Sequence, residues 1–506
     1  MKAAHYLAVL VLVLGCALPV HASDTSLRAP SVELLPPDAV TTHSIVIGGR
    51  TTVYTARAGL LLLRDDDRKP LATMFYTAFT TGNPRTRAIT FFYNGGPGSS
   101  TIWLRMGSFA PMRVVVTNGG MTPPAPYQLV SNKYTLLDKT DLVFVDMPAS
   151  GYGRIWPGAD AKKVFGTDND ISMFAKFIER YLTRFGRWNS PKFLFGESYG
   201  TPRSAMLANT LQRDGVSING VVLQSAILNE NLASIEIYGG GDTTDWQYIF
   251  NLPSEAAGAW YYHKVPGAPK SLSAYMGEAE HFALTRYREA LLQGSLLTPG
   301  QYESMAEQVG HYTGLSTRYV RNSNLRIGGS EFLAELQRNK GLSEGFYDSR
   351  YHLFMIDREV DRPELEASDA SIDAAFVSTW NDYVVSGLHF TTSLSYLTGA
   401  YSAIQAAGGW NFKHNGETPL NAAPDLAQAM TYNPHLRVFS ANGYYDLVTP
   451  FLATLYTLNH LNIAPQLQSH ISYGFYPSGH MIYLNVDALA QFHADLERWY
   501  EQVLRS

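Results

Sequence analysis

The chain has 506 residues, with 39 lysines and arginines against 44 acidic residues and a formal net charge of −5. Hydrophobic residues at 45%, with only 16% charged, are enough to fill a large core, so intrinsic disorder is excluded, and the length suits one large domain with an insertion, or two domains. No basic excess exists to hold a polyanion, which argues against nucleic acid, and the single cysteine, Cys16, excludes an internal disulfide and a cysteine-ligated zinc.

Residues 1–22 read as an export signal peptide. Lys2 gives a positive start, Tyr6 to Leu18 is almost wholly apolar, and Val20-His21-Ala22 offers a small-residue cleavage site before Ser23-Asp24. The apolar run is short of the roughly 20 residues that a membrane span needs. Leu14-Gly15-Cys16 leaves a lipid-anchored variant open, and cleavage would otherwise leave a mature chain without cysteine. The expected location is periplasmic or secreted, with no membrane span. Residues 23–41, carrying Pro36-Pro37, are expected to be a leader rather than packed structure.

From Thr42 to Thr80 the pattern is β-rich. Ile45-Val46-Ile47, the Gly48-Gly49 turn and Thr52-Val53-Tyr54 predict a hairpin, and the charged turn Arg64–Pro70 separates two further strands. Short apolar runs follow, at Ala88–Tyr93, Asp141–Val145, Lys192–Phe195, Asn219–Leu223, Leu436–Ser440 and Ile471–Tyr476. Each is too short for an independent helix and suits a strand buried on both faces. Asp170–Phe185 and Asp487–Leu504 carry apolar stripes at helical spacing. This alternation predicts an α/β fold with a mainly parallel central sheet.

Residues 232–385 break the rhythm, being helix-like and aromatic-rich, and are expected to form an inserted, largely helical cap between core segments 42–231 and 386–506. Gly239-Gly240-Gly241-Asp242 reads as a flexible loop, and Asp361–Asp373 as a solvated acidic face that lacks the spacing of a calcium loop.

Gly196-Glu197-Ser198-Tyr199-Gly200 is a G-x-S-x-G pattern between a predicted strand and a helical stretch. Such a turn exposes a serine hydroxyl, and the glycines admit the close backbone approach. The motif is weak alone, since an ordinary tight turn would match it. A serine needs a base, and His480, in Tyr476-Pro477-Ser478-Gly479-His480-Met481, sits on a late loop after a strand. Asp446, after Val438–Tyr445, lies between them and would hold the histidine tautomer. Asn94-Gly95-Gly96-Pro97-Gly98-Ser99-Ser100 lacks the Gly-Lys-Ser/Thr of a phosphate cradle and better suits an oxyanion loop acting with the Tyr199 N–H.

These segments in this order resemble the serine carboxypeptidases, with the character of the bacterial branch. Asn132 through Asp146-Met147-Pro148 to Gly151-Tyr152-Gly153, Tyr444-Tyr445-Asp446 and Gly479-His480-Met481 add to the likeness, which runs from about Tyr54 to the C-terminus. The resemblance implies an α/β-hydrolase fold, with Ser198 as nucleophile, His480 as base and Asp446 as its partner. It further implies Gly96 and Tyr199 as oxyanion donors, and Asn94 and Glu197 as the group that binds a peptide's C-terminal carboxylate. Glu197 must then be protonated to face that carboxylate, which favours acid pH.

Two positions depart from the family. Ser108 stands where many members carry a second glutamate, and Ser99 where a cysteine is usual. The expected activity is carboxypeptidase action on peptides or small proteins, with no metal or cofactor required. An esterase or acyltransferase using the same triad is the alternative, and a non-catalytic hydrolase-fold binding protein a more distant one.

Overall fold

Six short apolar runs become the parallel part of a nine-stranded sheet. In the computed structural model, which describes residues 35–232 and 245–505, the strands are β1 (Ala39–Ile47), β2 (Arg50–Arg64), β3 (Pro70–Thr80), β4 (Ile89–Tyr93), β5 (Asp141–Val145), β6 (Lys192–Glu197), β7 (Gly220–Gln224), β8 (Arg437–Gly443) and β9 (Ile471–Tyr476). Their order is β1-β2-β3-β5-β4-β6-β7-β8-β9. Pairings from β1 to β5 are antiparallel, and all those beyond are parallel. Residues 1–22 with Cys16, most of the leader, and Gly239–Asp242 lie outside the described residues.

Every residue of β4, β5, β6 and β7 is buried. Their side chains alternate between two apolar layers, as the period of a strand requires. Phe91, Tyr93 and Leu194 join Phe174, Ile178 and Leu211 on one face. Phe92, Phe193 and Phe195 join Ile102, Phe492 and Leu496 on the other. Helices Thr167–Arg184 and Gly200–Arg213 supply the first layer, and helices Ile102–Gly107 and Val486–Arg505 the second. Burying such side chains contributes about 1.5–3 kcal/mol each, which explains why both faces of this sheet are covered.

The N-terminal region differs from expectation in two ways. The hairpin's second strand and the strand before Arg64 are one 15-residue strand, β2, because Tyr54, Ala56, Ala58 and Leu60 keep one unbroken alternation into the core. The end of the leader is also packed. Asp38 accepts from the Tyr76 hydroxyl at 2.8 Å and pairs with Arg57 at 3.1 Å and Arg184 at 3.0 Å, and β1 begins at the next residue.

Between β7 and β8 lies the helical insertion. Helices Trp246–Tyr261, Leu272–Phe282, Pro299–Thr313, Thr317–Asn322 and Gly329–Glu335 share a cluster containing Phe250, Leu252, Phe282, Val309 and Phe332. It docks on Tyr445, Leu447 and Phe451, beside the end of β8. The long helix Ala367–Ser386, placed by sequence inside the cap, packs instead in the sheet's own layer, with Phe376 and Trp380 near Ile102 and Phe75. Among the described residues no helix is long and apolar enough to cross a membrane.

Candidate active site

Ser198 is the first of the two turn residues between β6 and the helix that starts at Gly200, and its φ is +58°. A non-glycine residue adopts that left-handed backbone only when its surroundings impose it. Here they do. The Ser198 N–H donates to the Gln224 carbonyl on β7 at 3.0 Å, and its own carbonyl accepts from the Thr201 N–H at 2.8 Å and hydroxyl at 2.7 Å. A Cβ on Gly196 would collide with the Gly200 carbonyl, so the turn closes this tightly only with glycine there.

Asp446 and His480 come from the ends of the adjacent strands β8 and β9. Asp446 is fully buried, and its Oδ1 accepts from the Val448 and Thr449 N–H groups, each at 2.9 Å. Its Oδ2 accepts from the Thr449 hydroxyl at 2.7 Å and faces His480 Nδ1 at 2.8 Å. With Nδ1–H donating to Asp446, the neutral ring keeps Nε2 as its basic atom. Burial pulls the His480 pKa down, but the charge and hydrogen bond of Asp446, with Glu197 and Glu366 adding, leave it above the ordinary value.

After β4, the Asn94–Ser100 loop lies directly against the serine turn. A Cβ on Gly95 would collide with the Tyr199 nitrogen and approach the Gly200 nitrogen to 2.9 Å. Gly96 follows with a φ of +108°. The Tyr199 side chain is buried, packs edge-on to Trp410 at 5.6 Å and donates to the Thr167 hydroxyl at 3.1 Å. Its backbone amide is thereby fixed beside the glycine loop.

Glu197 is buried next to these groups. Asn94 Nδ2 donates to its Oε1 at 2.5 Å, Gln224 Nε2 to its Oε2 at 2.7 Å, and the Tyr483 hydroxyl to its Oε1 at 3.4 Å. Burial pushes its pKa up to about 7, against the pull of His480, Tyr483 and Asn94. Asn94 is held in turn, its Oδ1 accepting from Leu104 N–H at 3.1 Å and its carbonyl from Arg203 at 2.7 Å. Ser108 is buried and its hydroxyl donates to the Leu104 carbonyl at 2.6 Å.

All seven sequence-predicted site residues lie at or just after the C-terminal ends of the parallel strands β4, β6, β8 and β9. Sequence reasoning missed two groups around them. Gln224 and Tyr483 are ordinary residues whose contact with Glu197 exists only once β7 and the His480 loop are in place. The second group is Tyr347, Asp348 and Arg350. The His480 N–H donates to the Tyr347 carbonyl at 2.7 Å, and the Gly479 N–H to Asp348 Oδ2 at 3.0 Å. Arg350 clasps Asp348 at 2.6 and 2.9 Å and reaches the Ser478 hydroxyl at 3.2 Å.

Asp361–Asp373 is not one solvated face. Glu366 turns inward, accepting from the Phe346 N–H at 2.7 Å and capping its own helix through the Ser368 N–H at 3.1 Å. Among the described residues one group has metal-ligand spacing, Asp138, His493 and Glu497, and Lys139 Nζ already lies 3.2 Å from Asp138 and 3.3 Å from Glu497.

Comparison with known proteins follows the same lines. Residues 54–263 match a model of the family described as serine carboxypeptidase. The chain is 28% identical over 141 residues to serine carboxypeptidase-like 45 of Arabidopsis thaliana, covering 26% of this chain and 27% of that one. It is 30% identical over 122 residues to serine-type carboxypeptidase F of Aspergillus niger, covering 24% of this chain and 20% of that one. These matches span only 20–27% of the relatives' own length. The fold is shared much more widely. A prohormone-processing carboxypeptidase of Saccharomyces cerevisiae superposes with a TM-score of 0.52 at 16% identity, over 89% of this chain and 92% of that one. With an antiparallel edge, a crossed β5-β4 pair, a serine turn after β6 and late acid and histidine loops, the architecture is the α/β-hydrolase fold. Over residues 54–263, and in the order of its motifs, the chain is similar to the serine carboxypeptidases.

Proposed function

We propose that this protein is a serine-type carboxypeptidase that removes C-terminal residues from peptides or small proteins. The observation that carries this reading is the pairing of two groups. The strained Ser198 turn, with His480 and Asp446, is equipped for acyl transfer, and the adjacent Asn94–Glu197 pair is a buried donor group of the kind a free carboxylate needs.

In this scheme Ser198 Oγ attacks the last peptide carbonyl as its proton passes to His480 Nε2. The oxyanion that forms is met by the Gly96 and Tyr199 N–H groups. His480 then gives its proton to the leaving amine as the C–N bond breaks. Water attacks the ester on Ser198, again losing a proton to His480, and the serine is regenerated. Asp446 orients the imidazole and stabilises its charged form without taking the proton. Asn94 and protonated Glu197 donate to the substrate's carboxylate, so binding is strongest below about pH 7, where Glu197 holds its proton, and weakens above it. Export ahead of this activity, to the periplasm or the medium, is part of the same proposal.

A fluorophosphonate probe tests both halves. Ser198 is expected to be labelled, and a peptide with a free C-terminal carboxylate to protect it while the same peptide as an amide does not. Equal protection by the amide would favour the esterase or acyltransferase reading, and failure to label folded protein a binding role.

A further inference from the structure

Glu197 has no carboxyl neighbour at the position where a second acid would come from. Ser108 is buried at the end of helix Ile102–Gly107 with its hydroxyl turned back to Leu104. The space beside it is not empty. A Cβ on Gly107 would fall into the Tyr483 ring, and the Tyr483 hydroxyl reaches Glu197 Oε1 at 3.4 Å. Tyr483 is fully buried on the turn Ile482–Leu484, three residues after His480, so one loop delivers both the base and this phenol. We propose that Tyr483 is a positioning residue that takes the place of the missing second carboxyl, donating its phenolic proton to Glu197 and leaving Glu197 as the sole acid of the carboxylate-binding group. The inference rests on the reading of Glu197 as the group that meets a peptide's C-terminus.

The substitution changes the chemistry of recognition. Two buried carboxyls share one proton and titrate as a pair, each raising the other. A phenol is neutral across the working range and offers one proton. Burial, and then the neighbouring Glu197, push the Tyr483 pKa well up, so that proton stays in place. Tyr483 therefore donates to Glu197 and stabilises its ionised form. The other groups facing Glu197 are the neutral amides of Asn94 and Gln224, with His480 attracting and Asp446 opposing its negative charge. Loss of the phenol removes one stabilising donor from the carboxylate and the phenol's own contact with Asn94, while Gln224, His480 and Asp446 stay in place.

The test compares KM across pH for a peptide with a free carboxylate and for its C-terminal amide, in the wild type and in Tyr483→Phe. The phenyl ring keeps the packing against Gly107. In the wild type, binding of the free acid should weaken as pH rises through about 7, following Glu197, while the amide shows no such limb. In Tyr483→Phe that limb should move upward by about 0.5–1 pH unit, the effect of losing a weak hydrogen bond to a charged group. A limb left in place, with kcat and Tm lowered on both substrates alike, would mark Tyr483 as packing alone and overturn the inference. If the variant folds poorly, site-specific 3-fluorotyrosine at position 483 makes the donor stronger and should move the limb downward; an unmoved limb overturns the inference equally. Absence of discrimination between acid and amide in the wild type would instead overturn the parent reading of Glu197, before any variant is compared.

Discussion

Replacing Asp348 with alanine should loosen the loop that carries His480. Asp348 and Arg350 are almost completely buried, their side chains 1% and 3% exposed, and join through contacts of 2.6 and 2.9 Å. Removing the carboxylate leaves the guanidinium with Asn118 Oδ1 at 2.8 Å, the Ser478 hydroxyl at 3.2 Å and the face of the Tyr445 ring at 5.2 Å, none of them charged. Breaking one side of a buried ion pair costs about 3–5 kcal/mol. The Gly479 N–H loses its acceptor as well, a further ~1–3 kcal/mol if counted alone. These effects share neighbours and will not simply add, so a total near 4 kcal/mol is expected. The His480 main chain keeps its contacts with Tyr347 at 2.7 Å and with the Ser225 hydroxyl at 2.7 Å. The ring should therefore shift rather than be lost, and kcat should fall on the order of 10²-fold. Urea unfolding and steady-state turnover on one peptide would measure both. The double variant Asp348→Ala/Arg350→Met removes the stranded charge, and should recover most of the stability while kcat stays low. A single-variant loss under about 1 kcal/mol, or a double variant with kcat restored, would refute the reasoning.

Three further outcomes follow from the geometry. Asp446→Asn leaves the Thr449 contacts largely intact but presents an amide to His480 Nδ1, so kcat should fall by about 10⁴ with little change in unfolding; a loss under tenfold contradicts the orienting role. Gly95→Ala places a methyl group on the Tyr199 amide, and should cost about 10²–10³ in turnover and slow fluorophosphonate labelling without unfolding the protein. His414 donates to Asp168 at 2.6 Å and Asp425 at 3.0 Å, which requires the charged ring, and the hydrogen bond to Asp425 outweighs burial to bring its pKa up to about 9. Its folded value is raised, so its contribution to stability is complete below 6.5 and is lost as pH rises through about 9. Thermal unfolding from pH 7 to 10 should fall more steeply for the wild type than for His414→Gln, and parallel slopes would remove the argument.

Much of the site was readable before the structure because its parts are local. The strands before Asn94, Ser198 and His480 are apolar runs bounded by glycine turns, and the serine turn is contained in the five consecutive residues Gly196–Gly200. What escaped was non-local. Gln224 reads as the polar end of a strand, and gains meaning only from its register beside Glu197 on β6. Asp348 and Arg350 lie in a stretch read as cap, and their partner loop is about 130 residues away. The helix Ala367–Ser386 was assigned to the cap because position along the chain was the only guide, while its packing partners, Ile102 and Phe75, lie hundreds of residues earlier. Continuous alternation through β2 also outweighed the local signals that suggested two strands, since Gly59 continues the pairing with Tyr76 rather than ending it.

The most direct measurement is mass spectrometry of a mixed peptide pool after incubation with the protein at several pH values. Peptides with free C-termini should lose single residues from that end, fastest below about pH 7 where Glu197 is protonated, and Ser198→Ala should leave the pool intact. Internal cleavage, or equal attack on C-terminally amidated peptides at every pH, would contradict the assignment of Asn94 and Glu197 to the substrate's carboxylate.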